Sequence, residues 1–585
     1  MSDFLYTNKR MTTGFLTDKI KKIYHEDYPK VQEFHGNWGS IAISENLYNG
    51  FQPYETDKYI FAVIGGPVLY FQDNYFLKTN DSNIGTKAIF DRWKANNINW
   101  DEDLSGPFAI IIINKVSSKV SFVTDLMSFI PIYIYQDISN FMLSTHVDVL
   151  AEASNQNEDF DIISCADFVL NGIITYPYTL YKKINQVRPG TIHYISQESN
   201  QLESNSYWLP QEKDEYSSIS EAATDLKQGM LNFTNRVTSE VSKIAQFISG
   251  GEDSRVLSAL LNEYPRSAYV FLDQMNREGR MAKEAAQIYN ANFNIATRSK
   301  THYIDILPDC SDLLGSGSQY HHAHTFDFHK RCKLDQYYAV FGGLFSDALL
   351  KGARIKKLRI SNKLPLIGDI KDNSYSPENY EVNPIFTKSI LKEVSNRRRA
   401  HLNELKIYRP DSAEEWFELW PSSMNMNIPN IHANRRLFRS YEPFMANDIV
   451  KLSARTPQKW KLNRKLFLKT FKKDLKPSKW MFHTDGRLPY LPWYINTFIQ
   501  SFYRIYEKIG VKTGFIKGNQ GPWAEWGKLL NSIEWETTML KNLEGSKKIS
   551  TALIEKDIEK VFKNNNIFYL QKINLMQLLY QLNKE

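Results

Sequence analysis

The hexad Ser249-Gly250-Gly251-Glu252-Asp253-Ser254 lies between the apolar run Ala245-Gln-Phe-Ile248 and a segment with helical spacing, Arg255 to Leu261. Two glycines let a backbone approach an anion closely, while serine hydroxyls and the N–H groups of a helix start can donate to its oxygens. The chemistry expected is the binding of a phosphate chain. A carboxylate inside such a loop repels phosphate unless a cation lies between them, so Asp253 is read as a Mg²⁺ ligand. The GxxxxGK[ST] spacing of phosphoryl-transfer loops is missing, which makes kinase or motor-type chemistry a poor fit. A second glycine turn, Gly342-Gly343, follows Tyr338-Ala-Val-Phe341 and leads to Asp347. Between the two turns, His321, His322, His324 and Asp327 form a cluster whose spacing fits no standard zinc pattern. Its imidazoles are expected to line a cleft or cap a helix.

Such a loop works only at the end of a strand. From about residue 217 strand, turn and helix alternate: Ser220 to Phe233 reads as a helix, Ala245 to Ile248 and Ala268 to Leu272 as strands, Arg280 to Asn290 as a helix, and Tyr338 to Phe341 as a third strand. That grammar predicts a doubly wound α/β domain with a mostly parallel sheet, over 217–585, with a mainly helical extension after about residue 380. Residues 1–210 read differently. Gly39 to Ser44, Tyr59 to Ile64, Phe108 to Ile113, Val120 to Val123 and Pro131 to Tyr135 are short β-branched or aromatic runs between turn residues, the signature of an antiparallel sandwich. Thr86 to Lys94 is a helix among them, and polar, turn-rich stretches between about 196 and 218 mark the boundary.

The 585 residues are ample for two large domains. A net charge of +7 from 72 basic and 65 acidic residues is thin over so large a surface, so nucleic acid is not implied. The clusters Lys356 to Arg359, Arg397 to Arg399 and Lys469 to Lys479 are candidates for an anion-attracting face. Three cysteines, Cys165, Cys310 and Cys332, fit a reducing compartment. The N-terminus lacks the apolar stretch of a signal peptide and no apolar run is long enough to span a bilayer, so a cytoplasmic protein without a membrane partner is expected.

Taken with the strand before it and the helix after it, the first loop is similar to the SGGxDS loop of the ATP pyrophosphatases, and much of the chain resembles the asparagine synthetase family. Leu104-Ser-Gly-Pro-Phe-Ala109, Val123-Thr-Asp125 and Pro131-Ile-Tyr133 resemble that family's glutaminase half. Phe341-Gly-Gly-Leu-Phe-Ser-Asp347, Tyr441-Glu-Pro-Phe444 and Lys461-Leu-Asn-Arg-Lys465 resemble its synthetase half. The resemblance implies an N-terminal class II glutaminase-like (Ntn-type) domain and a C-terminal ATP pyrophosphatase domain of the adenine nucleotide α hydrolase-like fold. It further implies ATP and Mg²⁺ as cofactors, held by Phe247, Ser249, Gly250, Gly251, Asp253 and Ser254 with Gly342 and Gly343. Asp253 and Asp347 are then the metal ligands and Lys465 the catalytic lysine. Glu442 is expected as a general base, and Tyr320 or a neighbouring histidine as an acceptor of the amine proton.

The chain departs from the family where glutamine would be split. Class II glutaminases use an N-terminal cysteine, and here residue 2 is serine; the oxyanion segment NGEIYN is replaced by Gly65-Gly-Pro-Val-Leu69. The resemblance therefore implies a ligase that joins a small-molecule or peptide carboxylate to an amine or to ammonia, in the style of the β-lactam synthetases and lasso-peptide cyclases. Asparagine synthesis proper, tRNA modification and a non-catalytic ATP-binding scaffold are the rival expectations. Ala348 replaces an acidic residue of the family pattern, and Arg439 replaces its glutamate, which points to a more anionic acyl substrate. A homodimer is compatible with the sequence.

Overall fold

The computed structural model describes residues 2–25, 28–79, 82–196, 201–213, 215–357, 383–515 and 519–584. Arg359 of one basic cluster and Gln197 to Asn200 of the expected boundary lie outside them. Among the described residues the fold is mixed α/β: two six-stranded antiparallel sheets and a small two-stranded one, Val68–Leu69 with Leu104–Ser105, in the N-terminal part, one parallel sheet in the C-terminal part, and helices around both.

The first antiparallel sheet runs Ile184–Gln186, Tyr133–Gln136, Phe141–Ser144, Phe4–Thr7, Gly39–Ser44, Val31–Gly36. The second runs Glu203–Ser206, Thr191–Ser196, Lys119–Thr124, Phe108–Asn114, Tyr59–Gly65, Tyr54–Glu55. Alternation along the strands explains why they are apolar on both faces. Ile60, Ala62 and Ile64 join Ala109, Ile111 and Ile113 and the first sheet's Phe4, Tyr6, Ile41 and Ile43 in one core. The intervening Phe61, Val63, Ile110 and Ile112 pack outward with Leu226, Met230 and Phe233 of the helix Ile219–Thr238. Each sheet is thus covered on its outer face, and strands buried on both sides read as continuous apolar runs.

The parallel sheet has the order Asn292–Thr297, Arg266–Leu272, Ile244–Phe247, Ala339–Phe341, Ser440–Tyr441. Counted along the chain this is 3-2-1-4-5, so the winding reverses between Ile244–Phe247 and Ala339–Phe341. Ligands of open α/β sheets bind at the carboxyl end of such a reversal. Both glycine turns leave the sheet there. The strands Asn292–Thr297 and Ser440–Tyr441 escape a pattern reading because one is polar and the other has two residues. Among the described residues no helix is long and apolar enough to cross a membrane.

Candidate active site at the parallel-sheet reversal

Ser249 and Ser254 close the first loop on itself. Ser254 Oγ accepts the Ser249 N–H at 3.1 Å, and Ser249 Oγ accepts the Gly251 N–H at 3.0 Å. Glu278, on the neighbouring helix Arg277–Ile288, accepts the Gly250 N–H at 2.6 Å, and the buried Arg255 donates to the Gly250 carbonyl at 2.7 Å. The helix that follows, Glu252–Leu260, therefore presents its N-terminus from a fixed loop.

The second turn meets the first. A Cβ on Gly343 would lie 3.5 Å from that of Asp253, whereas one on Gly342 would fall 2.2 Å from the Glu442 carboxylate. Glycine at 342 is thus the condition for Glu442 to stand beside the turn. Glu442 is buried, accepts the Leu344 N–H at 3.0 Å and the Ser440 hydroxyl at 3.1 Å, and its carboxyl is pushed up to about 7 by burial. That value suits a proton acceptor near neutral pH.

Asp253 and Asp347 converge on one point, and a cation of the chain itself stands there. Lys351 Nζ lies 2.7 Å from Asp253, 2.5 Å from Asp347 and 3.2 Å from Glu252. Its ammonium is packed 4.9 Å from the centre of the Phe467 ring, and its side chain is only 5% exposed. Arg464 adds a second cation, donating to both Glu252 oxygens at 2.8 and 2.9 Å. Burial raises the Asp253 carboxyl above its ordinary value, with Asp347 and Glu252 adding to the rise against the pull of Lys351. Glu252 moves the other way, because Arg464 and Lys351 outweigh its burial. Carboxylate oxygens meeting at one point are the right donors for a hard divalent cation. Asp253 and Asp347 fit Mg²⁺ in kind and in convergence.

Beside the turns a cavity of about 210 Å³ is lined by Phe247, Tyr269, Phe271 and Gly342–Leu344, with Arg298, His324, Asn430, Asn434, Glu442 and Trp523 closing it. Arg298 is held by Asp273 at 3.0 Å and by the Tyr303 hydroxyl at 2.8 Å. The sequence reading missed it, as it missed Lys351, Arg464 and Glu278; only Lys351, four residues after Asp347 on one helical face, left a signal.

Other expected residues stand elsewhere. Lys465 is exposed at the start of the helix Lys465–Phe471, directly after Arg464; Asn463 and Arg464, both left-handed (φ 55° and 56°), carry the Arg464 guanidinium to Glu252. Tyr320 is fully buried against the Cys310 region, its hydroxyl raised by burial and absent from the cavity wall, so it is not placed to take a proton there. Arg439 points away from the cavity, donating to the Asp335 and Tyr337 carbonyls at 2.8 and 3.0 Å. His321 meets Trp526 and His322 meets Trp523 edge to face, His324 lies tilted against Trp523, and burial lowers all three histidines toward the neutral form. Asp327 pairs with Arg331 at 3.0 Å, and only His324 of this cluster reaches the cavity. Among the described residues no group of three or more His, Cys, Asp or Glu is arranged to hold a metal ion. Arg397 and Arg398 pair inward with Asp161 and Asp167 instead of forming an anion-attracting face.

In the antiparallel half, Ser2 is buried and its Oγ accepts the Gly65 N–H at 3.0 Å. The void lined by Gly65, Gly66, Ser105 and Gly106 measures about 20 Å³, water-sized. The Tyr48 ring also lines it, so close to the glycines that a Cβ on Gly66 would fall 1.9 Å from it. Tyr48 Oη donates to the Ser440 carbonyl at 2.9 Å and accepts the Ser440 N–H at 3.1 Å, joining this half to the strand beside Glu442. Asp3 forms a second tie. Its buried carboxylate accepts from Arg435 at 2.9 Å, from Arg436 twice at 2.8 Å, from Tyr24 at 2.7 Å and from Thr145 at 2.8 Å.

Residues 42–208 match the glutamine amidotransferase domain family. The match covers most of the antiparallel part and ends before the parallel sheet. No curated protein matches the chain. Among solved structures, the chain is similar to a glutamine phosphoribosylpyrophosphate amidotransferase from B. subtilis complexed with ADP and GMP, at 10% identity and a TM-score of 0.24, over 50% of this chain and 65% of that one. It is also similar to an allosteric regulatory enzyme of purine biosynthesis, at 11% identity and a TM-score of 0.23, over 50% and 80%. The aligned part spans less than two thirds of the first of these structures.

Proposed function

We propose that the chain is an ATP-dependent ligase that activates a substrate carboxylate as its adenylate, releases pyrophosphate and passes the acyl group to an amine or ammonia. The observation that carries this reading is the meeting of two glycine turns, Ser249–Ser254 and Gly342–Gly343, at the reversal of a 3-2-1-4-5 parallel sheet, with Asp253 and Asp347 converging between them. A carboxylate oxygen of the substrate attacks the α-phosphorus of ATP, and the bond to pyrophosphate breaks. The amine nitrogen then attacks the acyl carbon, AMP leaves, and Glu442 takes the amine proton. Lys351, Arg464 and the loop donors offset charge on the phosphates, and the cavity holds the acyl group in place. Mg²⁺ held by Asp253 and Asp347 would screen the charge of the departing pyrophosphate.

The antiparallel half is assigned no glutamine hydrolysis. The void of about 20 Å³ lined by Gly65, whose N–H is taken by Ser2, cannot admit a glutamine side chain, and a serine hydroxyl is a weaker nucleophile than a thiolate. The test is pyrophosphate release by the full chain with ATP and Mg²⁺ over a panel of carboxylates, with ammonium, amines or glutamine as the nitrogen source. Release is expected with a matching carboxylate and an amine or ammonium, and none above background with glutamine. Failure of every pair while ATP still binds would replace the ligase by a scaffold.

Glu442 sets an expected pH profile. Its carboxyl is raised to about 7, so the base form is lost as pH falls through that value, and amide formation should decline on the acid side. Glu442→Gln is expected to lower the rate about a hundredfold and to flatten that acid limb. An unchanged limb in the variant, read from initial rates between pH 5.5 and 9 on the order of half-unit steps, would assign the proton to another group.

A further inference from the structure

Resting on the reading of Asp253 and Asp347 as metal ligands, we propose that Lys351 is a tethered counter-ion that keeps these carboxylates from binding a divalent cation until a nucleotide polyphosphate draws its ammonium away. Metal and nucleotide then enter together.

The geometry supports this in three ways. The ammonium sits at the point where a shared cation would have to lie, 2.7 Å from one carboxylate and 2.5 Å from the other, and it also reaches Glu252 at 3.2 Å. A metal ion at that point would meet a positive charge at contact distance. Second, the charges are nearly balanced before any ligand arrives: three carboxylates face Lys351 and Arg464, so little attraction for a free cation is left over. Third, the displacement is local. Lys351 follows the short helix Ser346–Leu350, and an ammonium on a flexible four-carbon stem can exchange carboxylate for phosphate oxygen without moving the backbone. Asp347, 71% exposed at its side chain, is the ligand on the solvent side and the one an arriving metal–nucleotide complex would reach first.

The experiment is a titration of the full chain with Mn²⁺, followed by electron paramagnetic resonance, with and without a non-hydrolysable ATP analogue. The parent chain is expected to bind Mn²⁺ at least about tenfold more tightly with the analogue than without it. Lys351→Met is expected to bind Mn²⁺ without nucleotide and to gain melting temperature from it, and Asp347→Asn in that background to abolish both effects. Tight binding by the nucleotide-free parent would overturn the proposal even where Lys351→Met fails to fold. Lack of binding by the parent with the analogue would sink the metal-ligand reading beneath it, a result distinct from the first.

Discussion

On the proposed reading, Asp253→Asn is expected to reduce ATP-dependent pyrophosphate release by about a hundredfold or more, because it removes one of the two carboxylates that would hold a cation against the phosphate chain. The Asp253 carboxylate projects from the first turn of the helix Glu252–Leu260, with Gly343 of the second turn beside it, and accepts from Lys351 and from the Ser346 hydroxyl, each at 2.7 Å. Asparagine keeps the shape and one acceptor. Lys351 retains Glu252 and Asp347, so folding should survive, with a melting temperature close to that of the parent. Steady-state release and a thermal melt on the same preparation check both halves of the expectation. Activity within about threefold of the parent would remove Asp253 from the reacting site.

Asp3→Asn should produce the largest loss of stability, about 3–5 kcal/mol, since it leaves two buried guanidinium groups without their counter-charge. Arg435 and Arg436 are both fully buried and both contact this carboxylate. Burial alone would raise the Asp3 carboxyl, but Arg435 and Arg436 hold it well below the usual carboxylate range. A folded value beneath the unfolded one of about 3.9 stabilises the fold fully above that pH, and the contribution drains away as pH falls toward the folded value. Urea unfolding of parent and variant should therefore differ by a constant amount from about pH 5 to 8 and converge in stronger acid. An equal stability at pH 7 would mean that the two arginines find other partners.

The sequence was most readable where local chemistry and topology agree. Ser249 to Ser254 could be placed between a strand and a helix because Ala245 to Ile248 is apolar and Glu252 onward has helical spacing. Asp347 could be tied to it by the second glycine turn. What stayed hidden depends on backbone conformation or on distant partners. No pattern announces that Asn463 and Arg464 are left-handed, yet that single feature presents Arg464 to the loop and leaves Lys465 in solvent. Arg298 is known as a cavity residue only once Asp273 and Tyr303 are seen to hold it. Tyr320 and the histidines beside it have the composition of a reactive cluster, but burial makes them a neutral aromatic wall. Arg439 has the charge for an anionic substrate and spends it on carbonyls.

Tyr48 couples the two halves of the chain. Its ring fills the space beside Gly66 while its hydroxyl clasps Ser440, so the residue that packs the antiparallel half also braces the strand next to Glu442. A smaller side chain at position 48 would open the antiparallel half beside Gly66 and release Ser440 in the same step. That substitution would remove both hydrogen bonds to Ser440 and leave the strand Ser440–Tyr441 without this tie. At this one side chain the two halves cannot be altered independently.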